Sequence, residues 1–265
     1  LLDLEDSISV TEKDAARKLV KHALKTLDFG SVERVVRING RDTPFFERDL
    51  GEIIPARPDA VRIPKIDSPD DVRAADDIIT RLEEENGMEK GSVRIHAMLE
   101  TARAIVNASA IAMSSPRILG LTIGGQDLAA DLGIKITREG LEMLYARSAV
   151  VLAAKAAGLL AFDTVYTDID DLEGLREQAA MSVGLGFSGK AAIHPSQIAV
   201  IHEAFRPEEK DVRKAERIVR GAREAEERGL GVVAVDGRMV DAPVVAQAQR
   251  TLELARLAGM EVEAE

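Results

Sequence analysis

Short β-branched runs alternate with longer helical stretches along most of the chain. Leu1–Leu4, Val35–Asn39, Ala60–Pro64, Val93–Leu99, Ile118–Ile123, Thr164–Tyr166 and Ala191–Ile193 read as strands. Each is a compact apolar run bounded by turn-forming residues. Thr11–Leu27, Asp70–Glu85, Thr101–Ala112, Arg138–Ala157 and Leu172–Val183 read as helices. A short helix is expected after Gly124-Gly125, and another from Pro195 to about Ala204. Thr11 is placed to cap the first helix, with Asp14 three residues on as an acidic capping-box partner. Ser68-Pro69 opens the helix that Gly87 closes.

Strands separated by helices of this length imply right-handed βαβ crossovers and a parallel sheet. Seven units, with one more before Leu1, would make eight. The chain opens without Met inside what reads as a strand, so a first strand is expected to precede it. No Gly-x-Gly-x-x-Gly follows a strand, which favours a TIM (β/α)8 barrel over a doubly wound sheet. The character changes after residue 205. Pro207–Arg228 is a highly charged helix, Gly231–Val240 is extended or a hairpin around Asp236-Gly237, and Asp241–Leu257 is a final helix. Residues 1–205 are therefore assigned to a barrel domain, and 206–265 to a C-terminal helical and hairpin appendage that acts as a lid or oligomerisation segment.

Composition narrows the function. Aromatic residues make up 3% and Trp is absent, so a core must be built from Ala, Val, Ile and Leu, as suits helices packed on a parallel sheet. The net charge of −11 argues against nucleic-acid or anionic-membrane partners, which need a basic field. It leaves room for an anionic substrate met by a few arginines. There is no Cys, which excludes disulfides, thiolate nucleophiles and Cys-ligated metals. The four His residues lack i, i+4 spacing, which argues against zinc. No apolar run of about 18 residues suggests a transmembrane helix, and Leu1–Asp6 does not resemble a signal peptide. A cytoplasmic protein is the expectation.

In a parallel barrel, chemistry gathers where strands end. The polar residues there are Asp3, Glu5 and Asp6; Arg37 and Asn39; Lys65; Glu100; Gln126 and Asp127; Asp168 and Asp170; and His194. Glu100 and Asp127 follow neighbouring strands and could share a hard cation. Oxygen-only ligation points to Mg2+, with Mn2+ as an alternative. The same two acids would equally serve as helix caps or first-turn dipole partners. Arg37, within a β run, needs a partner: a salt bridge to Glu5 or Asp6, or a bidentate substrate carboxylate. Lys65 is the residue that a rival Schiff-base mechanism would use. Gly124-Gly125 reads as an ordinary strand-to-helix turn, and His194 as a capping or core residue.

Eight strings in order resemble the citrate lyase β-subunit and malyl-CoA lyase family of the HpcH/HpaI aldolase superfamily. They are Leu2-Asp3-Leu4-Glu5-Asp6, Val36-Arg37-Ile38-Asn39, Ile63-Pro64-Lys65, Leu99-Glu100-Thr101-Ala102, Gly124-Gly125-Gln126-Asp127-Leu128, Gly186-Phe187-Ser188-Gly189-Lys190, Ile193-His194-Pro195-Ser196-Gln197-Ile198 and Met239-Val240-Asp241-Ala242-Pro243. The resemblance implies a carbon–carbon lyase acting on a 3-hydroxy-dicarboxylyl-CoA such as citryl-CoA or malyl-CoA, giving acetyl-CoA and an α-keto acid. It implies Glu100 and Asp127 as Mg2+ ligands and Arg37 as the substrate arginine. The backbone at Ile193 and His194 would touch coenzyme A. Asp241 would be a catalytic acid delivered into a neighbouring subunit of a homotrimer, or of a hexamer built from trimers. Gln126 departs from the family, standing where an acid is common. A thioesterase or malate synthase-like activity, a class II pyruvate aldolase, and a non-catalytic subunit are the rival readings. An acyl-carrier-protein ester is an alternative to the CoA substrate.

Overall fold

The computed structural model describes residues 1–227, 229 and 233–263. The chain divides into two compact units, Leu1–Pro195 and Ser196–Glu265. The division falls ten residues before the expected one, because the helix Ser196–Phe205 belongs with the second unit.

The first unit runs β1 (Leu2–Asp3), α1 (Lys13–Thr26), β2 (Val35–Arg37), α2 (Phe46–Ile53), β3 (Ala60–Ile63), α3 (Pro69–Glu85) and β4 (Arg94–Leu99). It continues through α4 (Ala102–Val106), α5 (Ala108–Ala112), β5 (Ile118–Ile123), α6 (Gly125–Leu132), α7 (Leu144–Ala156), β6 (Leu160–Asp163), α8 (Leu172–Leu185) and β7 (Gly189–Lys190). The seven strands form one sheet in sequence order, with every pairing parallel. Because the order never reverses, right-handed crossovers put all the helices on one face. That is the singly wound arrangement; a doubly wound sheet would reverse order at a switch point.

Alternation along the strands then sorts the side chains. Val36, Val61, Ile63, Ile95, Ala97, Leu99, Leu121 and Ile123 are buried in one cluster with helix residues such as Leu24, Leu50, Ile79, Ile111 and Val150. The opposite face carries Arg37, Arg62, His96, Met98, Thr122 and Phe162. His96 stacks on Phe162 with centroids 5.1 Å apart. Gly120 leaves room for that ring, since a Cβ there would come within 2.8 Å of it.

Several elements differ from the sequence expectations, each for a local reason. The turn Val10–Glu12 is a 3-10 helix and α1 begins at Lys13, so Thr11 is not its cap; Asp14 instead pairs with Arg17 at 2.7 Å. Asn107 splits the expected Thr101–Ala112 helix into α4 and α5. Arg138–Gly140 lie outside α7, because Gly140 is left-handed at φ 63° and Glu142 caps Thr137. α2 was not expected at all. The capping box at α3 does form, between Ser68 and Asp71.

The second unit contains α9 (Ser196–Phe205), α10 (Glu209–Glu227), the hairpin β8 (Val233–Val235) and β9 (Arg238–Val240), and α11 (Ala242–Leu257). Asp236 and Gly237 both have positive φ, the geometry a two-residue hairpin turn requires. Val212, Ala215, Ile218, Val240, Ala248 and Leu252 form its core, so the charges of α10 occupy the other side of that helix. Arg228, Gly231 and Val232, included in the expected elements here, lie outside the described residues. No helix among the described residues is long and apolar enough to cross a membrane.

Candidate active site

Strand ends of the first unit surround a cavity of about 260 Å3. Its wall includes Asp6, Arg37, Arg62, Met98, Thr122 and Asp127.

The acidic turn after β1 is tied down from below. Lys13 Nζ donates to the Leu4 and Glu5 carbonyls at 2.8 and 2.7 Å. Asp3 and Arg37 are partners in the β1–β2 register. Arg37 Nε and Nη2 grip the two Asp3 oxygens at 2.6 and 2.7 Å, a bidentate fork. Its Nη1 lies 2.8 Å from Glu5 and 3.2 Å from Asp6. The salt-bridge alternative for Arg37 is therefore realised, with Asp3 as the principal partner. Against the cost of burial, the guanidinium holds the Asp3 carboxyl well below its ordinary range. Glu5 behaves oppositely. Burial, which Arg37 only partly offsets, together with neighbouring Asp6 and Asp3, pushes it up to about 7.

Glu100 follows β4 and is 2% exposed. One oxygen accepts the Lys65 N–H at 2.9 Å. Lys65 is left-handed at φ 52°, an uncommon conformation for a side-chain-bearing residue, and this turns its N–H toward Glu100. Its own side chain is exposed, so Lys65 lacks the enclosed setting that would free its amine for a Schiff base. Gly124 makes room for Glu100, since a Cβ there would lie 2.6 Å from the Glu100 Cβ. Asp127 sits in the first turn of α6, and Gly125 donates its N–H to Thr164 Oγ1 at 3.0 Å. Burial, then the charges of Asp127 and Glu5, push Glu100 up to about 8. Two acids thus press on buried Glu100, and a divalent cation would relieve that repulsion. No group of three or more Asp, Glu, His or Cys placed to hold a metal exists among the described residues. Two carboxylates fit Mg2+, which commonly completes its shell with water and substrate.

Other expected residues fall elsewhere. Asn39 is 3% exposed and structural, donating to Leu4 O at 3.0 Å and to Asp49 at 2.6 Å. Asp168 caps the Asp170 and Asp171 N–H groups. Gln126 is exposed beside Asp127. Ile193 lines the cavity; it and His194 are exposed. Asp241, in the second unit, is the N-cap of α11 and accepts the Val244 N–H at 3.4 Å. Sequence reading missed Arg62 and Thr122. An Arg at an inward strand position, one strand along from Arg37, was the available signal.

The singly wound parallel sheet with acids at its strand ends defines an α/β protein of the barrel-related class. The chain belongs to the HpcH/HpaI aldolase/citrate lyase family, whose profile matches residues 1–195. It is 42% identical to the citrate lyase subunit beta of Haemophilus influenzae, over 97% of this chain and 88% of that one. It is 37% identical to the L-malyl-CoA/beta-methylmalyl-CoA lyase of Cereibacter sphaeroides, over 94% and 84% respectively. Among solved structures it resembles the CitE protein of Mycobacterium tuberculosis in complex with magnesium, acetoacetate and coenzyme A. That match has a TM-score of 0.76 and 34% identity, and covers 96% of this chain and 88% of that one.

Proposed function

We propose that the protein is a Mg2+-dependent carbon–carbon lyase. It cleaves, or in reverse forms, a 3-hydroxy-dicarboxylyl-CoA such as citryl-CoA or malyl-CoA, yielding acetyl-CoA and an α-keto acid. The observation that carries this reading is the buried Glu100, which feels the charge of Asp127 and packs behind Gly124; Asp127, Gly124 and Arg37 line one cavity. The magnesium and coenzyme A of the related CitE complex add to it. A TIM (β/α)8 barrel is the proposed full architecture, of which the seven strands supply most.

Glu100 and Asp127 would hold the cation, with Mn2+ as a substitute. When bound, it supplies Lewis acidity toward the hydroxyl and carboxylate oxygens of the acyl group. The Lys65 N–H and the space at Gly124 keep Glu100 aimed at that position. Arg37, already oriented by Asp3, Glu5 and Asp6, presents positive charge to the enolate oxygen of the departing acetyl thioester. Backbone at Ile193 and His194 contacts coenzyme A. Asp241 of a neighbouring copy exchanges the proton at the enolate carbon, so the active form is a homo-oligomer, a trimer or a hexamer built from trimers. The second unit serves it as lid and oligomerisation segment.

The test is incubation with malyl-CoA and citryl-CoA, with Mg2+ or EDTA, trapping keto acid as the phenylhydrazone. Metal-dependent keto acid is expected, and Glu100→Gln should abolish it. Free CoA without keto acid would replace the lyase reading with a thioesterase.

A further inference from the structure

Arg62 stands beside Arg37 in the β2–β3 register, and both line the same cavity. Their surroundings differ. Arg37 is bracketed by three carboxylates. Among the described residues Arg62 makes no ion pair, and its Nε is buried without a hydrogen-bond acceptor. Burial and then the charge of Arg37 push it down to about 10, so it remains cationic at neutral pH; Glu33 and Asp3 are the acids that act on it. A second donor on the same wall is also unanswered. Thr122 is 2% exposed, and its buried hydroxyl has no partner among the described residues.

Buried polar groups almost always find partners, so two orphans facing one cavity call for an explanation. A buried cation with no direct ion pair is the costlier of the two. A carboxylate entering the cavity would satisfy both, accepting from the guanidinium and from the hydroxyl. The cavity suits a small keto acid and is below the range typical of larger ligands. Arg37 is poorly placed to take that carboxylate, since Asp3 occupies its bidentate edge.

We infer that Arg62, assisted by Thr122, is a specificity-determining residue that receives the second carboxylate of the keto-acid half of the substrate. The favoured substrates are therefore thioesters that yield a keto diacid, in preference to those that yield a keto monoacid. The inference takes its reaction from the lyase reading, but its binding claim stands apart from turnover.

Isothermal titration of the Mg2+-loaded protein with oxaloacetate and with pyruvate isolates the point, because the two differ by one carboxylate. Wild type should prefer oxaloacetate. Arg62→Met should lose about tenfold or more of the oxaloacetate affinity while changing that for pyruvate by less than about twofold. Arg62→Lys should recover part of the loss, keeping the charge but not the planar fork. Thr122→Val should show a smaller loss in the same direction. If Arg62→Met does not fold, judged by thermal melting, the other two variants decide. Equal weakening of both ligands, or no change in either, overturns the inference. Cleavage of neither thioester by wild type would defeat the lyase reading and leave the titration to judge Arg62. Normal cleavage with an unchanged oxaloacetate preference in Arg62→Met would defeat the Arg62 role alone.

Discussion

Replacing Gly124 by Ala should damage the site through space alone. Gly124 has φ −93° and ψ 87°, on the negative-φ side where a side chain brings no left-handed strain. The obstacle is the neighbours. An added Cβ would lie 2.6 Å from the Glu100 Cβ and 2.8 Å from the Met98 Cε, and closer still to a Glu100 carboxylate oxygen. Carbon atoms rest at about 3.5–4.0 Å, so each contact is roughly 1 Å too short. Met98 is flexible at its tip and can move aside. The Glu100 Cβ is anchored to the end of β4 and moves only with the backbone. The expected cost is about 1–3 kcal/mol of overpacking, or roughly 2–10 °C in melting temperature. The Glu100 carboxylate would leave its bond to the Lys65 N–H, and a displacement of about 1 Å at a catalytic group can cost about 100-fold in rate. Mg2+ titration, thermal melting and kcat/KM would be measured together. Metal affinity and kcat/KM should both fall by about tenfold or more. Gly51→Ala is the control: it lies within α2 with nothing near its added Cβ, and should stabilise by about 0.5–1 kcal/mol. A Gly124→Ala protein with wild-type melting and metal affinity would refute the claim that this glycine makes room for Glu100.

Asp163 invites a second substitution. It is fully buried and accepts from Arg147 at 2.6 Å, Ser182 at 2.6 Å and Lys190 at 3.2 Å. Asp163→Asn leaves two buried cations without their counter-charge and should cost about 3–5 kcal/mol in urea unfolding, and a loss below 1 kcal/mol would contradict this. Acid should weaken the wild-type fold for the same reason. Against the cost of burial, Lys190 and Arg147 hold Asp163 below its ordinary value, and Arg117 does likewise for Glu83. Both bind protons more weakly folded than unfolded, so their stabilisation is complete above the unfolded values near pH 4 and drains as pH falls through the folded ones. Melts between pH 7 and pH 3 should show it, with a shallower acid limb in Asp163→Asn; identical limbs would count against the assignment.

Much of the architecture was legible because it depends on local pattern. Five of the seven expected apolar runs became parallel strands, and Ser68-Pro69 and Asp236-Gly237 carried their own helix-start and turn chemistry. The misses arose where distant residues decide. Thr164–Tyr166 was expected as a strand, yet β6 is Leu160–Asp163. An acid at a strand end reads as solvent-facing until Arg147 and Lys190, from other elements, neutralise it. The last strand was expected at Ala191–Ile193 but lies at Gly189–Lys190, set by register with Phe162 and Asp163.

The candidate site divides in the same way. The sequence alone determined which groups stand at the strand ends, because periodicity places Glu100 and Asp127 after neighbouring apolar runs, and an all-oxygen donor set follows from having no Cys and no His at i, i+4 spacing. Only the tertiary structure decided how their charges are answered. It satisfied Arg37 with Asp3, made Asn39 a structural tie to Asp49, buried Glu100 behind Gly124 and, among the described residues, left the Arg62 Nε without an acceptor. Compensation of a charge depends on distance through space, and these partners are brought together from strands and helices far apart along the chain.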